Sequence, residues 1–124
     1  MIDFQNSSIF KLRQVNPESV NGNILPLLVS GEQILSAYKG LRDYIVFTNK
    51  RVIAVNVQGM TGKKKDFTSL PYSKIQAFSC ETAGVLDMDS EFELYFSGLG
   101  KVKFEFTGAS NVIELSQIIG NYIL

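Results

Sequence analysis

Between residues 44 and 57 the chain reads Tyr44-Ile45-Val46-Phe47-Thr48-Asn49-Lys50-Arg51-Val52-Ile53-Ala54-Val55-Asn56-Val57, and few folds accommodate such a run. Two apolar blocks flank the polar tetrad Thr48-Asn49-Lys50-Arg51, a pattern that predicts two strands around a tight turn. A two-residue loop at Asn49-Lys50 sets Phe47 opposite Val52 and Ile45 opposite Ala54, with Val46 opposite Ile53 and Tyr44 opposite Val55 on the other face. Both faces are then apolar. An antiparallel sheet ordinarily wets one face, so the second requires a cover: another segment, another subunit or a ligand.

The chain has 124 residues, 45% hydrophobic and 19% charged, which is enough for one compact core and too few for two ordinary domains. Twelve basic and twelve acidic residues cancel, so attraction to nucleic acid or an anionic surface has to come from a local patch. The longest apolar stretch, Ile24-Leu25-Pro26-Leu27-Leu28-Val29, is far short of the roughly 20 residues of a spanning helix. Met1-Ile2-Asp3-Phe4-Gln5 does not have the form of a secretion signal, and a cytoplasmic location is expected. The single cysteine, Cys80, lies in a strand-like run and is expected to be a buried, inert thiol.

Asn16-Pro17-Glu18 is a helix start, with Asn16 as cap and Pro17 at the first helical position. Gly22 and Pro26 interrupt the helix begun there, which predicts a broken or two-piece helical segment ending at Leu28. From Glu32 to Thr107 turn signals recur at short intervals between strand-like runs, the pattern of an antiparallel barrel or sandwich. Seven strands are expected, at about 32–39, 43–48, 51–58, 66–72 and 74–81, followed by a hairpin of Phe92–Phe96 and Val102–Phe106. A three-residue loop, Gly98-Leu99-Gly100, is expected to set Phe96 opposite Val102 and Phe92 opposite Phe106, with Gly100 in the left-handed conformation. Ser110 or Asn111 caps a final helix, with Glu114 at capping-box spacing from Asn111. Its stripe of Leu115, Ile118, Ile119 and Tyr122 is expected to plug the open end of the strands.

No histidine is present, which removes the commonest general base and the commonest metal ligand together. Gly59-Met60-Thr61-Gly62-Lys63-Lys64-Lys65 superficially suggests a phosphate-binding loop, but that motif needs four residues between its glycines, a Ser or Thr after the lysine, and a following helix. The three lysines can still serve a local anion site, set against the plainer role of a solvated, edge-protecting loop. Phe67 is the one nearby aromatic, too few for a single-strand nucleic acid platform. Asp87-Met88-Asp89-Ser90-Glu91 lacks the glycine and the distal acid of a calcium loop, and no metal or cofactor site is expected.

Four blocks carry a family resemblance: residues 42–53, from Arg42 to Ile53; Gln58-Gly59-Met60-Thr61-Gly62-Lys63-Lys64; Pro71-Tyr72-Ser73-Lys74-Ile75; and Glu81-Thr82-Ala83-Gly84. Together they resemble the bacterial pleckstrin-homology domain family, over about Leu28 to Tyr122. The resemblance implies a barrel of two nearly orthogonal antiparallel sheets closed by the C-terminal helix, no known enzymatic activity, and a tendency to form rings of identical subunits. Eukaryotic relatives grip inositol phospholipids with basic residues at the end of the first strand and on the second. Here Lys39 and Arg42 flank the first turn, but the second strand, Tyr44 to Thr48, carries none, so phosphoinositide binding is not transferred.

The expectation is therefore an N-terminal extension, residues 1–29, followed by a domain at 30–124 that is non-catalytic and self-associates, most simply as a cyclic homo-oligomer acting as a scaffold for protein or peptide partners. Tyr44, Val46, Ile53 and Val55 are the candidate subunit interface, with Ile24, Leu25, Leu27 and Leu28 of the same chain as the alternative cover. The competing expectation is an anionic-ligand or peripheral membrane-surface module using Lys39, Arg42, Lys63, Lys64 and Lys65. Nucleic acid is not an expected partner.

Overall fold

The computed structural model describes residues 1–4, 9–86, 88–108 and 111–124. Its strands are β1 (Ile9–Val15), β2 (Ile34–Lys39), β3 (Tyr44–Thr48), β4 (Arg51–Gln58), β5 (Lys64–Pro71), β6 (Ile75–Glu81), β7 (Ser90–Phe96) and β8 (Gly100–Phe106). A four-residue helix, α1 (Asn21–Ile24), stands between 3-10 turns at Pro17–Ser19 and Leu25–Leu27, and α2 (Val112–Ile123) ends the chain. The β3–β4 hairpin has the register its alternation predicts: Phe47 faces Val52, Val46 faces Ile53, Ile45 faces Ala54 and Tyr44 faces Val55. The Thr48 hydroxyl accepts from the backbone N–H groups of Lys50 and Arg51, at 3.0 Å each, which closes the turn.

The architecture corrects the expected seven strands in two sheets. All eight strands form one sheet, in the order β5-β4-β3-β2-β1-β8-β7-β6. The additional strand is β1, antiparallel to β2 and parallel to β8, and it joins the two meanders into one sheet. Residues 1–29, set apart as an extension on sequence grounds, thus contribute a central strand. Between Ile9 and Leu12 the β1–β8 register slips, and Lys11 there has a φ of 54°, marking a bulge that bends the strand from one partner towards the other. The sheet's outermost strands, β5 and β6, are consecutive in the chain and linked only by the 3-10 turn Tyr72–Lys74. A sheet whose two edges meet in so short a link has to roll up, and α2 packs against β6, β7 and that link.

The rolled interior holds Leu12, Tyr38, Ile45, Phe47, Val52, Ala54, Leu70, Phe92, Leu94, Val102, Phe104 and Phe106. From α2, Val112, Leu115 and Ile119 enter it; Ile118 is half-buried, and Tyr122 is exposed at one edge while stacking on Tyr72 at 6.2 Å. Asn111 accepts from the Glu114 N–H at 3.0 Å, and Asn16 from the Glu18 N–H at 3.0 Å, so both caps form as the sequence predicts; Ser110 lies outside the described residues. The β7–β8 register differs from expectation. Phe96 faces Gly100, Leu94 faces Val102 and Phe92 faces Phe104. The loop is Ser97-Gly98-Leu99, with both Gly98 and Gly100 at positive φ, and this shift puts Glu93 opposite Lys103 where the expected register opposed it to Glu105.

Candidate functional site

The second apolar face of the β3–β4 hairpin is covered from within the chain. Tyr44, Val46, Ile53 and Val55 join Ala37 in a second buried cluster under Val20 and Ile24, with Val15, Leu28, Ile34 and Val57 at its margin. The Asn23 amide donates to the Tyr44 hydroxyl at 3.2 Å. The four candidate interface residues are therefore buried in the single chain, Tyr44 being 5% exposed and the others 0%. Of the covers open at the level of sequence, the amino-terminal segment occupies this face; Leu25 and Leu27 of that segment point to solvent.

A buried ion pair that sequence reasoning missed fastens this cover. The Glu32 side chain is wholly buried and accepts from Arg51 Nε at 2.9 Å, Arg51 Nη2 at 2.9 Å, the Thr48 hydroxyl at 2.7 Å and the Val29 N–H at 3.1 Å. Arg51 also donates to the Leu27 carbonyl and to Ser69 Oγ, both at 2.8 Å. Burial alone raises the Glu32 pKa, but the hydrogen bonds from Arg51, Thr48 and Val29 and the guanidinium charge outweigh it and hold the carboxyl below its ordinary value. A glutamate directly after Ser30-Gly31 and ahead of a strand was the available signal.

The two loops that carry the basic candidates are joined to each other. The β2–β3 turn, residues 40–43, is closed by Gly40 N–H to the Asp43 carbonyl at 2.8 Å. Asp43 turns its carboxylate inward to accept from the Val57 N–H at 2.9 Å and from the Asn56 amide, tying the turn to the end of β4. Arg42 donates to the Gly59 carbonyl, joining the turn to the β4–β5 loop. At Gly62 φ is 68° and an added Cβ would lie 3.3 Å from Val57 Cγ1 and 3.8 Å from Arg42 Nη2, so the loop needs glycine there and folds back beside Arg42. Lys39, Arg42, Lys63 and Lys64 in or beside these two loops are exposed, whereas Lys65 is half-buried and bonds its Nζ to the Gly62 carbonyl at 2.8 Å. Arg13 of β1 stands directly opposite Lys39 and adds a cation that sequence reasoning did not include.

The nearby acids are engaged: Asp43 with the end of β4, and Asp66 with the Met1 amino group at 2.8 Å, which together with Thr68 holds the Asp66 carboxyl below its usual range. The acidic stretch before β7 behaves differently. Glu81 faces Glu91, which faces Glu105, on the outer surface of β6–β8, and Lys103 pairs with Glu91 at 3.1 Å. Burial first, then a hydrogen bond and repulsion from Asp89, raise the Glu105 pKa. Asp87 lies outside the described residues, and among the described residues no cluster of acids and cysteine is arranged to hold a metal. Cys80 of β6 is half-buried against the core. Among the described residues no helix is long and apolar enough to cross a membrane.

Comparison with known proteins agrees with this architecture. Over 103 residues the chain is 41% identical to the uncharacterised protein YjqA of Bacillus subtilis (strain 168), covering 82% of each chain. It is 35% identical over 97 residues to YozO of the same organism, covering 78% of this chain and 83% of that one. The crystal structure of a protein with a pleckstrin-homology domain from Shewanella loihica PV-4 superposes with a TM-score of 0.80 at 37% identity, covering 93% of this chain and 99% of the other. A pleckstrin-homology domain from Shewanella amazonensis SB2B gives 0.67, also at 37% identity, over 96% and 93%. The family model of the bacterial PH domain matches residues 3–123, β1 included, and the chain belongs to that family.

Proposed function

We propose that the chain is a non-catalytic binding module whose working surface is the joined loop pair 39–43 and 59–65, directed at anionic groups. The observation that supports this reading is the Arg42–Gly59 link, which braces the loop of Lys39 and Arg42 against the loop of Lys63 and Lys64, with Arg13 opposite Lys39. Cations held on a fixed backbone lose less freedom on binding than a solvated lysine run. Titrating the isotope-labelled chain with glycerol phosphate tests it. Amide shifts confined to residues 39–43 and 59–65, abolished in Lys63→Glu/Lys64→Glu, are expected; no shift there overturns the reading.

A second reading, self-association into a homo-oligomeric scaffold, is favoured by the outer edge of β6. β6 ends the sheet, with Gln76, Ala77 and Ser79 exposed, and a groove lined by Phe78, Ser116, Gln117, Gly120, Asn121 and Leu124 runs between it and α2. An exposed edge strand beside a groove of mixed apolar and polar lining can accept an added strand. Self-association through Tyr44, Val46, Ile53 and Val55 would first require the segment at 16–28 to lift away.

A further inference from the structure

We infer that Leu41 and Met60 are insertion tips by which the basic loop pair docks onto an anionic lipid bilayer, an inference that rests on the anion-binding reading and names its partner. Leu41 is 101% exposed and Met60 104%, as open as side chains in a free peptide. Single exposed apolar residues are ordinary on protein surfaces. These two are distinguished by where they stand. Leu41 precedes Arg42 and Met60 follows Gly59, so each flanks one partner of the Arg42–Gly59 hydrogen bond, on neighbouring tips braced by Asp43 and by the tight fit at Gly62.

Lys39 and Arg42 flank Leu41 in the chain, Lys63 and Lys64 follow Met60, all four are exposed, and Asp43 and Asp66 are tied to β4 and to the Met1 amino group. Apolar tips on loops that also carry exposed cations match an interface with negative head groups outside and hydrocarbon beneath. A second exposed apolar loop makes a contrast: Val85, Leu86 and Met88 lie near Glu81, Asp89 and Glu91 in the chain, which an anionic surface repels. Nucleic acid fits less well, because aliphatic tips do not stack on bases and Phe67 is only partly exposed. Each lysine held near an anionic surface strengthens binding about fivefold, and an inserted aliphatic side chain adds about tenfold or more.

Co-sedimentation with phosphatidylglycerol–phosphatidylcholine vesicles, and with phosphatidylcholine alone, tests the inference on three proteins: the parent, Leu41→Ser/Met60→Ser and Lys63→Glu/Lys64→Glu. The parent is expected to bind only the anionic vesicles, the serine variant at least about tenfold more weakly, and the glutamate variant not at all. Both tip side chains are free of packing, so unchanged circular dichroism and thermal midpoint are the control. Full binding by the serine variant with none by the glutamate variant overturns insertion and leaves the anion reading standing. Glycerol phosphate shifts in the loops without vesicle binding by the parent have the same meaning. No response to either probe removes both, and preference for single-stranded nucleic acid over vesicles overturns the bilayer as partner.

Discussion

At the scale of single residues, Glu32 holds the amino-terminal cover in place. Its carboxylate receives Arg51, Thr48 and Val29, and Arg51 reaches on to the Leu27 carbonyl. Arg51→Met leaves that carboxylate buried without a counter-charge and is expected to destabilise the fold by about 3–5 kcal/mol, measured by urea unfolding. Glu32→Gln, nearly isosteric, should cost less. The pH dependence carries a definite sign. Because Glu32 is held below its ordinary value of 4.5, its ionised form stabilises the fold above that pH, and the contribution is lost as pH falls through the folded-state pKa. Asp66 acts in the same direction, whereas Glu105, raised chiefly by burial, favours the fold increasingly as pH drops. The Glu32 share is therefore read as the difference between parent and Glu32→Gln curves, which should converge in acid; curves parallel down to the lowest pH would contradict it.

At the scale of elements, the docking of the segment at 16–28 onto β3 and β4 is the packing event that a barrel formula omits. Ile24 is wholly buried in that second core, and Ile24→Ala is expected to lower stability by about 2–5 kcal/mol. A loss below about 1 kcal/mol would mean the cover contributes little. For the same reason Val46→Asp or Ile53→Asp is expected to unfold the chain, both sites being fully buried. At the β7–β8 turn Gly100 has a φ of 91°, so Gly100→Ala is expected to cost about 1–2 kcal/mol by the same measurement. Much of this was legible in the residues. The β3–β4 register followed from alternation locked by a two-residue turn, whereas at β7–β8 two glycines each tolerate positive φ and alternation alone permits registers two residues apart. β1 was missed because its pattern, Lys11-Leu12-Arg13, is brief and broken by a bulge, and with it Arg13 was missed at the basic surface. The Glu32–Arg51 pair spans 19 positions, which no local period encodes. The loop cations were legible because turn signals fixed both loops, but their joining by Arg42 is a tertiary fact.

At the scale of the whole molecule, rolling the sheet brings β5 and β6 to a common seam without pairing them, so among the described residues each keeps one edge without a strand on it. The β5 side is partly blunted: the amino terminus bonds Asp66 and Thr68 side chains there, and Lys64 and Lys65 lie on the strand. The β6 side has no lysine from Ile75 to Glu81. Natural edges are guarded by such charges, and an unguarded one is the place for a second copy to add. Head-to-tail addition uses two different surfaces and closes only when the rotation permits, so each subunit would contribute β6 to one neighbour and a different surface to the next. Light scattering coupled to size exclusion should then give a multiple of the 13.8 kDa chain. Gln76→Lys/Ser79→Lys should return the mass to that of one chain, since both positions are exposed and neither supports the core. A parent that runs at the single-chain mass at every concentration sinks self-association, and an assembly that survives both lysines moves the interface away from β6.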